Sequence, residues 1–125
     1  LNAVFIVTDE KGYILRPISY IPTFHKFQGQ SCGGVQVHPT DYSTFNPWRV
    51  GQILIREFYQ YLGERFQWKQ PPYEYEFKKL PIDILNGTDK IRIWAESNGN
   101  HDELAALEQS GMPDYLEKRQ DCLLY

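Results

Sequence analysis

The sequence has 125 residues, of which 42% are hydrophobic and 15% aromatic, enough apolar material for one core without disulfide or metal support. The net charge of -3, with basic residues scattered singly or in the pair Lys78-Lys79, excludes the usual electrostatic footprint of a protein that binds nucleic acid or anionic membranes. No apolar run approaches the roughly 20 residues of a spanning helix, and the first residues lack the pattern of a signal sequence.

The first forty residues are typical of strands around an irregular loop. A β-branched and aromatic run predicts a strand over residues 3–8, and a second strand is expected over 13–20. Residues 22–34, rich in Gly, Pro and Gln, indicate a loop with exposed side chains. A further strand is predicted over residues 35–38, and Pro39 is expected to end it early.

The clearest predicted helix begins at Asn46-Pro47, where Asn serves as N-cap and Pro occupies the first turn. Gly63 provides a left-handed C-cap. The apolar residues of the helix form two stripes, one of Val50, Leu54, Phe58 and Tyr61 and the other of Ile55, Tyr59 and Leu62, and we expect this broad apolar surface to pack against a sheet. After a Pro-Pro pair, the alternation of Tyr and Glu over residues 73–77 predicts a half-buried strand.

Short helical segments are predicted in the last third. A turn over residues 82–85 precedes a helix that Thr88 can cap and that ends near Gly99. Asn100 with Glu103 predicts a capping box for the next helix, and a last short helix starts at Pro113. We therefore expect an α+β fold: a small mixed or antiparallel sheet, with a barrel-like sheet as an alternative, packed by one long helix and several short C-terminal helices.

Polar chemistry concentrates between residues 22 and 41, and three interpretations compete there. Zinc would need thiolate, imidazole and carboxylate ligands, but the usual paired spacings are absent, so we expect no metal or cofactor. A Cys-His nucleophile is disfavoured because no helix N-terminus is predicted beside Cys32, which is more typical of a small buried residue. The third interpretation is a polar and aromatic surface that binds sugars. Its candidate residues are His25, Lys26, His38, Thr40 and Asp41.

Each candidate also has an ordinary structural role. Lys26 can meet a ligand carboxylate or simply be solvated, and His38 can bond a sugar hydroxyl or end a strand. Asp41 can accept from ligand hydroxyls or hold its own turn. Two rival functions remain open: a docking surface formed by the aromatics Trp48, Phe66 and Trp68, and a self-sufficient hydrolase that uses Asp83 with Glu74 or Glu76.

Several short motifs, in order, carry a resemblance to a known family. They are residues 22–27, Gly29, residues 32–38, Thr40-Asp41, Phe45-x-Pro47, Phe66-x-Trp68, Ile82-Asp83-x-Leu85-x-Gly87, and Arg119 with Leu123-Leu124-Tyr125. Together they resemble the C-terminal part of the DUF1343/NamZ exo-β-N-acetylmuramidase family. The match spans residues 13–125, nearly the whole chain.

The resemblance implies that residues 1–125 are a single C-terminal accessory domain, cut from a bacterial hydrolase that removes non-reducing N-acetylmuramic acid from peptidoglycan fragments. The family's catalytic carboxylate belongs to an N-terminal Rossmann-like domain, which we expect as partner in the same polypeptide, so the isolated chain is expected to be inactive. Lys26 and His38 are then the foremost candidates for the cleft between the domains. The parent is expected to be periplasmic or secreted. Whether Cys32 and Cys122 pair is open.

Overall fold

The computed structural model describes residues 11–124, and these form the α+β fold that the sequence predicts. The chain divides between Val50 and Gly51 into two compact units. The strand predicted over residues 3–8 lies outside the described residues. Within the described residues, no helix has the length and apolar character needed to cross a membrane.

The first unit contains an antiparallel hairpin of β1 (Tyr13–Tyr20) and β2 (Cys32–Pro39). The register runs from Tyr13 opposite Pro39 to Tyr20 opposite Cys32, so residues 21–31 form the connecting loop. The strand ends at Pro39 as expected, but it begins at Cys32, three residues before the predicted start. Pro39 is the last residue of β2, where a missing N–H is tolerated, and the N–H groups of the next two residues both donate to the Gly12 carbonyl oxygen.

Helix α1 (Pro47–Leu62) begins and ends as predicted. The Arg49 N–H donates to Asn46 Oδ1 over 3.0 Å, which confirms the N-cap. Gly63 has φ 52°, a left-handed conformation that favours glycine, and a short 3-10 turn over Gly63–Arg65 follows. The predicted apolar stripes were incomplete because they missed Ile53, which is 0% exposed, and included Tyr61, which is 51% exposed.

The second unit continues with α2 (Pro81–Asn86), α3 (Lys90–Glu96), α4 (His101–Gln109) and α5 (Met112–Gln120). The predicted turn over residues 82–85 is therefore part of a helix. The buried apolar cluster of the second unit consists of Ile53, Ile91, Trp94, Ala95 and Leu104, with Leu107 packed against it. These side chains come from three helices, so the core depends on how those helices meet and not on any one of them.

The α4 capping box is confirmed. Asn100 Oδ1 accepts from the Glu103 N–H, and a Glu103 carboxylate oxygen accepts from the Asn100 N–H, both over 2.9 Å. The Asn100 carbonyl oxygen also accepts the indole N–H of the buried Trp94 over 2.9 Å. The start of α4 is thereby tied to the core of this unit.

The strand predicted over residues 73–77 was wrong. Tyr73 and Glu76 exchange two backbone hydrogen bonds of 2.9 and 3.0 Å across a tight turn, and Glu74 adopts a left-handed φ of 52°. Tyr75 and Phe77 are 95% and 71% exposed, so the alternation of aromatic and acidic residues does not mark a buried face. We call residues 73–77 the tyrosine turn.

Candidate functional site

The five predicted site residues do not come together at one place on the hairpin. His25 and Lys26 lie in the loop that joins the strands beyond the pair Tyr20 and Cys32. His38, Thr40 and Asp41 lie at the opposite end, where β2 finishes. Since each strand has eight residues and rises about 3.3 Å per residue, the two ends of the ladder are roughly 23 Å apart.

The loop holds a defined conformation around Lys26. His25 and Phe27, on either side of it, have left-handed φ values of 60° and 59°, which are uncommon for residues other than glycine. The Gly29 N–H donates to the Pro22 carbonyl oxygen over 2.9 Å and closes the loop. Strained backbone of this kind persists only where surrounding bonds enforce it, so the loop fixes the place from which the exposed Lys26 projects.

Exposed aromatic residues stand close to Lys26 in the sequence of the same loop. Phe24 and Phe27 are 69% and 63% exposed, and the Phe24 ring meets the His25 imidazole edge-on with centroids 5.1 Å apart. The loop therefore presents both aromatic rings and a cation to solvent, the residue types that the predicted sugar-binding surface needs.

Asp41 is engaged in its own turn. Its Oδ1 accepts from the Ser43 N–H at 2.9 Å and the Ser43 hydroxyl at 2.7 Å, and its Oδ2 accepts from the Thr44 hydroxyl at 3.0 Å. These hydrogen bonds, that of the Ser43 side chain foremost, hold the pKa of the Asp41 carboxyl below its ordinary value of 3.8. Of the two roles that the sequence left open for Asp41, the structure supports the turn.

His38 shares one face of the hairpin with side chains that the sequence analysis missed. Side chains alternate between faces along a strand, so the register places Arg16 and Tyr20 of β1 with Gln36 and His38 of β2. The same face also carries Ile14, directly opposite His38, and Ile18. An Arg16 guanidinium nitrogen donates to Gln36 Oε1 over 2.6 Å. We call the four residues Arg16, Tyr20, Gln36 and His38 the polar face.

Glycine shapes one end of the polar face. A Cβ placed on Gly34 would lie 3.5 Å from the Tyr20 ring, so the ring lies in contact distance above this position. Tyr20 is 49% exposed and offers part of its ring to solvent. His38 is half-buried, and its Nε2 is shielded from solvent and has no hydrogen-bond partner in the part of the chain that the structure describes.

The donors of the polar face can serve a ligand. A guanidinium carries five N–H donors, and the contact with Gln36 occupies one nitrogen of Arg16. The sequence does show that Gln36 and His38 share a face, because they stand two residues apart on one strand. The pairing with Arg16 was not, because it depends on the register of two strands separated by a long loop.

The thiol chemistry considered for this region finds no support in the geometry. Cys32 and His38 stand six residues apart on β2, about 20 Å at the rise of a strand, so they do not form a nucleophilic pair. The Cys32 thiol contacts the Gln30 carbonyl oxygen at 3.7 Å, and both Cys32 and Cys122 are free. Within residues 11–124, no group of three or more His, Cys, Asp or Glu residues is placed to hold a metal ion.

Two of the three carboxylates considered for hydrolysis are engaged in other contacts. The Arg92 Nε–H donates to both carboxylate oxygens of Asp83, at 2.9 and 3.2 Å, and this contact is the main reason that the pKa of Arg92 is raised. Glu76 accepts the backbone N–H groups of Lys78 and Lys79 at 2.7 and 3.2 Å. Asp83 and Glu76 therefore serve structure.

Two of the three aromatics considered as a docking surface pack inside their own unit. Phe66, Trp68 and Tyr59 form a cluster with ring centroids 4.8 to 5.8 Å apart. The indole N–H of Trp68 donates to Glu96 Oε1 over 2.9 Å. Only Trp48, at 37% exposure, remains on the surface. Phe66 and Trp68 thus fit the interpretation as packed residues.

These features define a small α+β domain whose hairpin carries polar and aromatic side chains. Asp83, which each carboxylate pair considered for hydrolysis would need, is bound to Arg92 instead. A family model described as "Exo-beta-N-acetylmuramidase NamZ, C-terminal" matches residues 5–125. The chain belongs to this family, and the resemblance noted in the sequence is confirmed.

The chain is also similar to the peptidoglycan beta-N-acetylmuramidase NamZ of Bacillus subtilis (strain 168), with 25% identity over 114 residues. That match covers 91% of this chain but only 26% of the relative, so the chain spans about a quarter of that protein's length. No solved structure gave a significant match. The chain is therefore a domain related to a peptidoglycan muramidase.

Proposed function

We propose that this chain is the C-terminal domain of a peptidoglycan-recycling exo-β-N-acetylmuramidase and completes the substrate cleft of an N-terminal catalytic domain in the same polypeptide. Family membership supports the muramyl substrate. The polar face is the observation that carries the role in binding, because it offers the exposed Arg16 guanidinium beside Gln36, with the His38 imidazole toward one end of the same face and the Tyr20 ring toward the other. Sugars are bound by such combinations of ring faces and hydrogen-bonding side chains.

The two ends of the hairpin then make different contacts with one elongated ligand. Arg16 and the solvent-exposed part of the half-buried His38 side chain bind the hydroxyl and acetamido groups of the sugar. Lys26, in the loop at the other end of the hairpin, supplies a cation for a carboxylate of the peptide attached to the lactyl group. A charge-assisted hydrogen bond of this kind contributes about 1.5 to 3 kcal/mol when it is shielded from water.

The other three candidates have lesser parts in this proposal. His25 contacts the Phe24 ring and supports the loop. Asp41 holds the turn that follows β2, and Thr40 joins that turn to β1 because its N–H donates to the Gly12 carbonyl oxygen over 2.8 Å. Thr40 and Asp41 affect ligand binding through the position of His38, two residues before Thr40.

The second candidate function is a docking or carbohydrate-binding module without a part in the chemistry. The engaged state of Asp83 and Glu76 favours it, since neither carboxylate is available to the reaction. This alternative shares with the first the expectation that the isolated chain does not hydrolyse substrate. The two differ in whether the polar face contacts the sugar that is cleaved.

The isolated chain distinguishes these possibilities. The chain would be mixed with a chromogenic muramic acid glycoside to measure release of the chromophore, and with N-acetylmuramic acid while the His38 ring signals are followed by NMR. We expect no turnover and a shift of the His38 signals. Turnover would show a self-sufficient hydrolase and contradict the proposal. Neither turnover nor a shift would favour the docking module.

A further inference from the structure

The tyrosine turn displays two aromatic rings that the packing of its unit does not use. Tyr75 is 95% exposed and Phe77 is 71% exposed, although both rings have large apolar surfaces. Exposed rings that project from a turn are candidates for binding, whereas packed rings such as Phe66 and Trp68 serve the fold.

The turn is held rigid on both sides of Tyr75. Tyr73 and Glu76 exchange two backbone hydrogen bonds, and the Glu76 carboxylate accepts the backbone N–H groups of Lys78 and Lys79. The last two bonds hold the pKa of Glu76 below its ordinary value of 4.5, so the carboxylate stays charged and the bonds persist at neutral pH.

Upstream contacts fix the approach to the turn. Trp68 is tied to helix α3 by its hydrogen bond to Glu96, and the Lys69 ammonium lies 5.1 Å from the centroid of the Tyr73 ring. Glu74 holds a left-handed conformation that costs on the order of 1 kcal/mol. Such strain at an exposed turn is consistent with a surface that is shaped for a ligand.

Cations follow the rings directly. Lys78 and Lys79 follow Phe77 in the sequence, and both are exposed. Within residues 11–124 neither ammonium lies within ion-pair distance of a carboxylate, and the charge of Lys79 contributes to the lowered pKa of Glu76. Aromatic rings beside exposed ammonium groups match a sugar chain that carries carboxylates, because ring faces pack on sugar C–H groups and ammonium groups pair with the acids.

We propose that the tyrosine turn is a second glycan-binding site, which holds an acidic peptidoglycan strand through Tyr75 and Phe77 and through the ammonium groups of Lys78 and Lys79. This inference rests on the proposed function for its class of ligand, but it uses a surface of the second unit that the hairpin does not include. The site would hold the polymer, while the polar face would contact the sugar that is cleaved.

Retention of the 125-residue chain on insoluble peptidoglycan sacculi tests this proposal. Tyr75→Ala and Phe77→Ala are each expected to weaken retention about 5-fold, within the range of a single aromatic contact. Tyr115→Ala, which removes another exposed ring from helix α5, serves as the control and should bind as the unaltered chain does. Because all three side chains are exposed, the far-UV circular dichroism and the Tm should be unchanged.

The contribution of the two ammonium groups to glycan binding is tested with a double variant, Lys78→Gln with Lys79→Gln. Retention of the unaltered chain should fall as NaCl is raised, and the double variant should lose most of this dependence because two ammonium groups are gone. Chitin, which has the N-acetylated sugar but neither the lactyl group nor the acidic peptide attached to it, should retain the unaltered chain more weakly than sacculi do.

Several outcomes would overturn the inference. No retention of the unaltered chain, or equal losses in Tyr75→Ala and Tyr115→Ala, would do so. Losses confined to the hairpin variant Arg16→Leu would leave the proposed function standing and remove the tyrosine turn as a site. Unchanged retention of Tyr75→Ala, together with weaker binding to a separately produced catalytic portion of the parent, would assign the turn to a protein contact instead.

Discussion

Among the glycines of the second unit, Gly99 is the position where an added methyl group is expected to destabilise the core most. A Cβ on Gly99 would overlap the indole of the buried Trp94 and come within 2.8 Å of a Glu103 carboxylate oxygen. Moving the indole also breaks its hydrogen bond to the Asn100 carbonyl oxygen. Overpacking of about 1 to 3 kcal/mol and a lost bond of about 1 kcal/mol predict that Gly99→Ala lowers the free energy of unfolding by about 2 to 4 kcal/mol.

Gly51→Ala is a matched control with the opposite sign. Gly51 lies in helix α1, and a Cβ placed there has no neighbour within 4 Å. Alanine is favoured over glycine inside a helix, so this variant should be more stable by about 0.5 to 1 kcal/mol. The same chemical change is therefore expected to separate the two variants by about 2.5 to 5 kcal/mol.

Urea unfolding followed by far-UV circular dichroism measures both variants, with the midpoint and the slope fitted separately. At about 4 °C per kcal/mol for a chain of this size, the Tm of Gly99→Ala should fall by about 8 to 16 °C. If Gly99→Ala were as stable as Gly51→Ala, the close packing of Trp94 on residue 99 would be refuted.

Three smaller predictions concern the cap, the core and the tyrosine turn. Asn100→Ala should lower the free energy of unfolding by about 1 kcal/mol because the capping box is lost. Leu104→Ala should lower it by about 3 kcal/mol because the smaller side chain leaves a cavity in the core. Urea unfolding measures both changes. NMR titration should give Glu76 a midpoint below 4.5, so its stabilising bonds are present above that pH and are lost as the pH falls through the depressed pKa. The amide signals of Lys78 and Lys79 should move at the same midpoint, whereas a midpoint at or above 4.5 would contradict the hydrogen bonds.

Local signals in the sequence were the ones that predicted structure well. The Asn46-Pro47 start of α1 and the Asn100 and Glu103 box both form as expected, because each depends on atoms within one helical turn. Gly63 likewise ends its helix through its own backbone conformation.

Predictions that depended on packing were less successful. The alternation over residues 73–77 resembles a half-buried strand, but its apolar positions are exposed and Glu74 turns the chain. The stripes on α1 missed Ile53, because α1 buries the side that meets α3 and α4 and the sequence does not show which side that is. Periodicity indicates an apolar face without indicating its partner.

The candidate site was predicted in part for the same reason. Its residues are close in sequence, but the hairpin places Lys26 and His38 toward opposite ends and brings Arg16 beside Gln36 instead. Strand register is set by the whole ladder and by the loop, so proximity in sequence was a poor guide to proximity in space. The turn role of Asp41 was foreseeable from its position before Ser43 and Thr44.

The most direct measurement of the central claim is kcat/KM of the full-length parent on a muramyl substrate that carries its peptide. Lys26→Ala and Arg16→Leu should each lower kcat/KM about tenfold or more, the loss expected for a shielded charge-assisted hydrogen bond. Lys118→Ala, which removes an exposed cation from α5, should leave it unchanged. If both hairpin variants kept the kcat/KM of the unaltered protein, the hairpin would have no part in binding the substrate, which would contradict the proposed function.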